Sequence, residues 1–169
     1  MKRKLLFVTI TAALTGSMTY MVISLKIKRD NLFSKPFKND DLVFFDFENR
    51  SIYPLRSNEA VALVKFHSDC EHCHNEIKEL DKNSGLFKPN TVFFVSDEQA
   101  GAVEKVDSLY SLSRKGVFKI LCDSLKICER KFGNRITPMI LLFDKSGTLV
   151  KEYTGEVSAR LLAANLKDR

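Results

Sequence analysis

Residues 61–73 read VALVKFHSDCEHC, and the reading of this stretch decides the fold. Val61–Phe66 is apolar except for Lys65, as expected of a strand buried on both faces. A helical pattern opens at Asp69-Cys70, runs through Ile77 and Leu80, and stops near Asn83-Ser84-Gly85. Cys70-Glu71-His72-Cys73 therefore falls where a buried strand turns into a helix. There the unpaired backbone N–H groups and the positive end of the helix dipole stabilise a thiolate. Cys70 is nearest to them, so its pKa is the one expected to fall. Cys73 lies one turn further on, within reach of Cys70 for a disulfide. The spacing predicts dithiol–disulfide exchange: Cys70 attacks or is attacked, a mixed disulfide forms, and Cys73 resolves it. Protonated His72 would support the thiolate, and Glu71 would oppose it.

Outward from this stretch, apolar runs continue to mark strands. Upstream, Leu42–Phe47 and Ile52–Leu55 flank the turn-like Glu48-Asn49-Arg50-Ser51, which predicts a hairpin. Downstream come Thr91–Val95, Val117–Leu121 and Met139–Phe143, and Asp144-Lys145-Ser146-Gly147 turns the last of these into Leu149–Tyr153. Between them, Ser96-Asp97 is expected to cap a helix with Val103, Val106, Leu109 or Tyr110, and Leu112 on its apolar face. A short helix is expected over Ser124–Phe132, and a terminal one with Val157, Leu161 and Ala164 on one side. The order βαβαβα then ββα predicts an α/β domain with a mixed sheet and helices on both faces.

The chain has 169 residues, 44% of them hydrophobic, enough for one domain with a core and too few for two. Its net charge of +6 comes from Lys2, Arg3, Lys4, Lys26, Lys28 and Arg29, which leave 21 bases and 21 acids in the remainder. A nucleic-acid partner is therefore not expected, because the pI of 9.1 describes the N-terminal tail rather than a binding face. Leu5 to Leu25 carries no charge over 21 residues, about the length of a bilayer span. Thr15-Gly16-Ser17 is a poor cleavage site, so residues 1–29 are expected to form an uncleaved anchor and residues 30–41 a linker to a domain at 42–169. The order of basic cluster then apolar run places the domain on the extracytoplasmic (periplasmic) side, where disulfides persist.

The Cys-x-x-Cys after a buried strand, the α/β order and Thr137-Pro138 before an apolar strand resemble the thioredoxin fold. More narrowly they resemble the membrane-anchored TlpA/ResA-type thiol–disulfide oxidoreductases. The anchor, the hairpin added before the first core strand, and Glu76 three residues after Cys73 carry the narrower likeness, which spans roughly residues 42–167. It implies that Pro138 is cis against the disulfide and that Thr137 offers backbone hydrogen bonds to an extended substrate segment. It implies a proton-handling role for Glu76, because thioredoxin itself keeps a buried acid six residues before the first cysteine, where this chain has Val64. The implied partners are protein thiol or disulfide substrates and a transmembrane electron donor. The implied direction is mainly reductive, with no cofactor beyond the Cys70–Cys73 disulfide. A thiol peroxidase of the same fold would need Pro and Thr where Leu63 and His67 stand. Asp69 departs from the aromatic that often precedes the first cysteine, and either raises the thiolate pKa or caps the helix.

Cys122 and Cys128 are open between a structural disulfide, buried free thiols and an electron relay; proximity favours pairings 70–73 and 122–128. The rival function is a copper or zinc chaperone. His67, His72 and His74 share residues 67–74 with both cysteines, and soft thiolates with imidazoles suit those metals. The leading reading assigns no metal ligand.

Overall fold

The computed structural model describes residues 15–24, 42–55 and 59–167. The chain divides into two units, Met1–Pro36 and Phe37–Arg169. In the first, residues 15–24 form a helix (α1). Among the described residues no helix is long and apolar enough to cross a membrane. The rest of the Leu5–Leu25 run and the predicted linker 30–41 lie outside the described residues.

The second unit runs β1 (Val43–Asp46), β2 (Ser51–Pro54), β3 (Val61–Lys65), α2 (Glu71–Lys82), β4 (Thr91–Ser96), α3 (Ala100–Tyr110), β5 (Phe118–Cys122), α4 (Ile127–Phe132), β6 (Met139–Phe143), β7 (Leu149–Thr154) and α5 (Ala159–Lys167). One seven-stranded sheet has the order β2-β1-β5-β4-β3-β6-β7. β3, β4 and β5 are parallel neighbours, whereas β6, β7 and the β1–β2 hairpin join antiparallel, so the sheet is mixed as expected. All five residues of β3 and of β6 are buried, which explains why these strands read as unbroken apolar runs. Alternation along the strands sends Ala62, Val64, Val92, Phe94, Ile140 and Leu142 into one core cluster with Ile77 and Leu80 of α2, Val103 and Val106 of α3, and Leu162 and Leu166 of α5.

Three details differ from expectation, the first two because a side chain is engaged elsewhere. Ser96 and Asp97 do not cap α3. Ser96 closes β4, Asp97 pairs with Lys65 at 3.1 Å, and the helix starts after Gln99. α4 begins at Ile127, three residues later than expected, because the buried Asp123 carboxylate accepts the N–H groups of Ile127 (2.7 Å) and Cys128 (2.8 Å). α5 buries Ala159, Leu162, Ala163 and Leu166, while Leu161 is 47% exposed. The i, i+3, i+4, i+7 stripe holds, rotated by one position from the Val157-Leu161-Ala164 reading.

Candidate functional site

The strand end at Lys65 and the start of α2 place the cysteines. Cys70 is the N-cap of α2, with extended backbone, and its Sγ accepts the Cys73 N–H at 3.1 Å. Asp69 is exposed and does not cap the helix. Cys70 and Cys73 are disulfide-bonded, with Cα atoms 5.2 Å apart. Their burial is unequal: Cys70 is half-buried and Cys73 is 1% exposed. Only Cys70 therefore faces an incoming sulfur.

Across from the disulfide, the Thr137–Pro138 peptide is cis, and the Thr137 carbonyl oxygen lies 3.7 Å from Cys70 Sγ. A cleft of about 450 Å³ opens beside the pair. Cys70, Thr137, His67 and Asp69 line it together with Lys65, Lys126, Glu129 and Arg135. Ile136, next to Thr137, is 77% exposed. An accessible sulfur, a backbone acceptor beside it and a cleft of this size are what an extended segment needs to bring a disulfide up to Cys70.

Glu76 is buried at 1% exposure, one helical turn beyond Cys73. Its Oε2 accepts the Val157 N–H at 2.7 Å, while Oε1 has no hydrogen-bond partner among the described residues. Burial is the main reason its carboxyl is pushed up to about 7; the Val157 N–H opposes the shift, and nearby Glu156 and Glu79 add to it. This has a consequence for stability. The folded state holds a proton that the unfolded chain, with its ordinary value of 4.5, gives up. The stabilisation is complete below that value and is lost as pH rises through about 7, an effect of about 3 kcal/mol. Urea unfolding of the oxidised protein at pH 4 and pH 8 should show this difference, and Glu76→Gln should remove it. An equal pH difference in the variant would place the proton elsewhere.

Sequence reasoning missed Glu98, which fixes the loop before Cys70. Its carboxylate accepts the Ser68 N–H and hydroxyl, both at 2.6 Å, and the Ser96 hydroxyl at 2.9 Å, with His67 3.4 Å away. Burial works against its charge, yet these hydrogen bonds hold the carboxyl below the usual range. Glu98 is 30 residues from Ser68, and no local pattern signals the contact. Glu156 was also missed: its Oε1 lies 2.6 Å from His72 Nδ1, across 84 residues.

The Cys/His cluster at residues 67–74 does not converge. His67 sits by Glu98, His72 faces Glu156, and both ring nitrogens of His74 are engaged, Nδ1 with the Tyr110 hydroxyl (2.8 Å) and Nε2 with the Ser68 carbonyl (2.7 Å). The carbonyl oxygen can only accept, so His74 Nε2 carries the proton and its other nitrogen is taken by Tyr110. Among the described residues no group of three His, Cys, Asp or Glu is placed to hold a metal ion.

Cys122 and Cys128 are not joined to each other, contrary to the candidate disulfide. Both are buried free thiols. Cys122 Sγ points to the Glu98 carbonyl oxygen at 3.1 Å, and Cys128 sits in the first turn of α4 beside the capping Asp123. Burial pushes both thiols up, and the Asp123 charge adds to it. Unreduced native protein should therefore show no reactive thiol, and unreduced protein in guanidinium should show two. No thiol after unfolding would mean that 122 and 128 are bridged.

Comparison with known proteins places this geometry. Residues 52–169 match the family model described as "Thioredoxin-like domain". No curated protein matches the chain. Among solved structures, StoA from Bacillus subtilis is 17% identical with a TM-score of 0.55, covering 73% of this chain and 93% of that one. A secreted Mycobacterium tuberculosis disulfide oxidoreductase, described as homologous to E. coli DsbE, is 15% identical with a TM-score of 0.61 over 78% of this chain and 98% of that one. The exposed lipoprotein thioredoxin of Streptococcus pneumoniae is 19% identical with a TM-score of 0.60 over 76% and 98%. At these identities the structural likenesses speak for the fold, and the family match covers most of the chain. The chain belongs to the thioredoxin-like domain family, and within it carries the Cys-x-x-Cys disulfide of a thiol–disulfide oxidoreductase.

Proposed function

We propose that this is an extracytoplasmic, membrane-anchored oxidoreductase of the TlpA/ResA type that reduces disulfides in other proteins. The observation that carries the reading is the asymmetry of the pair: a half-buried Cys70 at a helix N-terminus beside the Thr137 carbonyl, and a buried Cys73 behind it. Cys70 thiolate attacks a substrate disulfide, and one substrate sulfur leaves as thiolate. Cys73 then passes its proton to the Glu76 carboxylate and attacks Cys70 Sγ. The Cys70–Cys73 bond forms, the Cys70–substrate bond breaks, and its electron pair leaves on the second substrate sulfur. The dithiol loses two electrons and the substrate gains them, so no cofactor beyond the disulfide is required. A transmembrane electron donor restores the dithiol.

The membrane and extracytoplasmic parts of the proposal are supported by the charge-free run Leu5–Leu25 with its basic flanks, and by the secreted and exposed relatives of the same fold. Direction is tested by equilibrating the full chain in dithiothreitol or glutathione buffers and counting thiols. A potential near thioredoxin's, about −270 mV, fits a reductant; one near −120 mV would make the protein a disulfide donor.

A further inference from the structure

His72 and Glu76 lie on α2, and one short segment after β7 touches both. The His72 ring is 2.6 Å from Glu156, and the next residue, Val157, donates its N–H to Glu76 at 2.7 Å. Further along the same helix, Glu79 Oε1 accepts the Ala159 N–H at 3.3 Å, so residues 72, 76 and 79 are all tied to residues 156–159. A cleft of about 480 Å³ runs between the two elements and is separate in lining from the one beside Cys70. The charges that act on Glu76 are Glu79 from its own helix and Glu156 from the packed segment; Lys78 and Lys82 line the same cleft, and Cys73 precedes Glu76 on the helix by one turn. Glu156 adds a like charge to the surroundings of Glu76, while the hydrogen bond to His72, in first place, holds its own carboxyl low and charged. His72 is the outer end of this chain of contacts, its side chain 75% exposed beside the disulfide.

We propose that Glu156 is a positioning residue that couples His72, inside the redox-active motif, to the proton-accepting strength of Glu76. While His72 holds Glu156, part of the Glu156 charge is taken up in that hydrogen bond, a compensation that leaves Glu76 the weaker base. A protein substrate that engages the exposed imidazole releases that compensation. Glu76 then becomes the stronger base at the step where Cys73 must lose its proton. The coupling rests on the proposed role of Glu76 as proton acceptor, and it adds a way for substrate docking to control that role.

The test uses the reduced full chain and an aromatic disulfide, 5,5′-dithiobis(2-nitrobenzoate). Its first coloured thiolate reports attack by Cys70, and its second reports resolution by Cys73. The rate of the second phase should rise with pH to a plateau set by Glu76. Glu156→Gln should reach the plateau about half a pH unit lower, and His72→Ala, which stands for capture of the imidazole, about half a unit higher. Glu156→Asp should stay at the wild-type position. The double variant should coincide with Glu156→Gln, because His72 acts through Glu156. Infrared titration of the Glu76 carboxyl in the oxidised protein should give the same order, independent of turnover. Additive shifts, shifts in one direction, or no shift in Glu156→Gln would overturn the coupling. A pH limb that survives Glu76→Gln would overturn the role of Glu76 itself, and the coupling with it.

Discussion

A Cys73→Ser protein is expected to hold on to its substrates. Cys70 keeps its place at the N-terminus of α2 and its half-buried sulfur, so the first exchange still occurs. The thiol that would break the mixed disulfide is gone. Cys122 and Cys128 cannot stand in for it, because both are buried with thiol pKa values pushed up. Mixed disulfides should therefore accumulate as dithiothreitol-sensitive adducts on non-reducing gels, and insulin reduction should fall to background. Cys70→Ser should abolish turnover equally but form no adducts, since Cys73 is 1% exposed and meets no incoming disulfide. Efficient insulin reduction by Cys70→Ser would sink the assignment of the nucleophile.

The largest effect on stability is expected from Phe94→Ala. Phe94 lies in β4, the central strand of the seven, is 0% exposed and packs edge-on against Phe118 at 5.4 Å between ring centres. Truncating such a ring loses its transfer free energy and leaves a cavity, at a cost of about 3–5 kcal/mol. In a domain of this size that lowers Tm by roughly 10–20 °C. Ile52→Ser makes the control: that side chain is 73% exposed on β2, and its loss should change stability by no more than about 0.5 kcal/mol. Similar melting of the two variants would contradict the placement of β4 at the centre of the core.

What could be read in the sequence follows from the range of the forces involved. β3, β4 and β6 announce themselves because burial on both faces demands unbroken apolar runs. The Cys-x-x-Cys motif is legible because a strand-to-helix junction is a local pattern. Its tuning partners are not legible: Glu98 reaches Ser68, and Glu156 reaches His72, through folds of the chain that leave no trace in nearby residues. The same limit explains the false signals. Ser96-Asp97 has the composition of a helix cap, but Asp97 is claimed by Lys65 from the neighbouring strand. Three histidines close in sequence suggested a metal cluster, yet His67 stays on the loop beside Glu98 while α2 directs His72 to Glu156 and His74 to Ser68. The six-position spacing of Cys122 and Cys128 suggested a bridge, where the fold instead places a helix cap at Asp123.

The β1–β2 hairpin also sets one margin of the sheet among the described strands. An open strand at the margin of a sheet is a template on which another chain can add its own backbone, the first step toward aggregation. Here β2 occupies one margin, and it is only four residues long and ends at Pro54, which has no N–H to offer. At the other margin, β7 carries Lys151 and Glu152, charges that would be desolvated by a stacking neighbour. A protein that works by making transient covalent links to other chains thus presents sheet borders unsuited to lasting non-covalent ones.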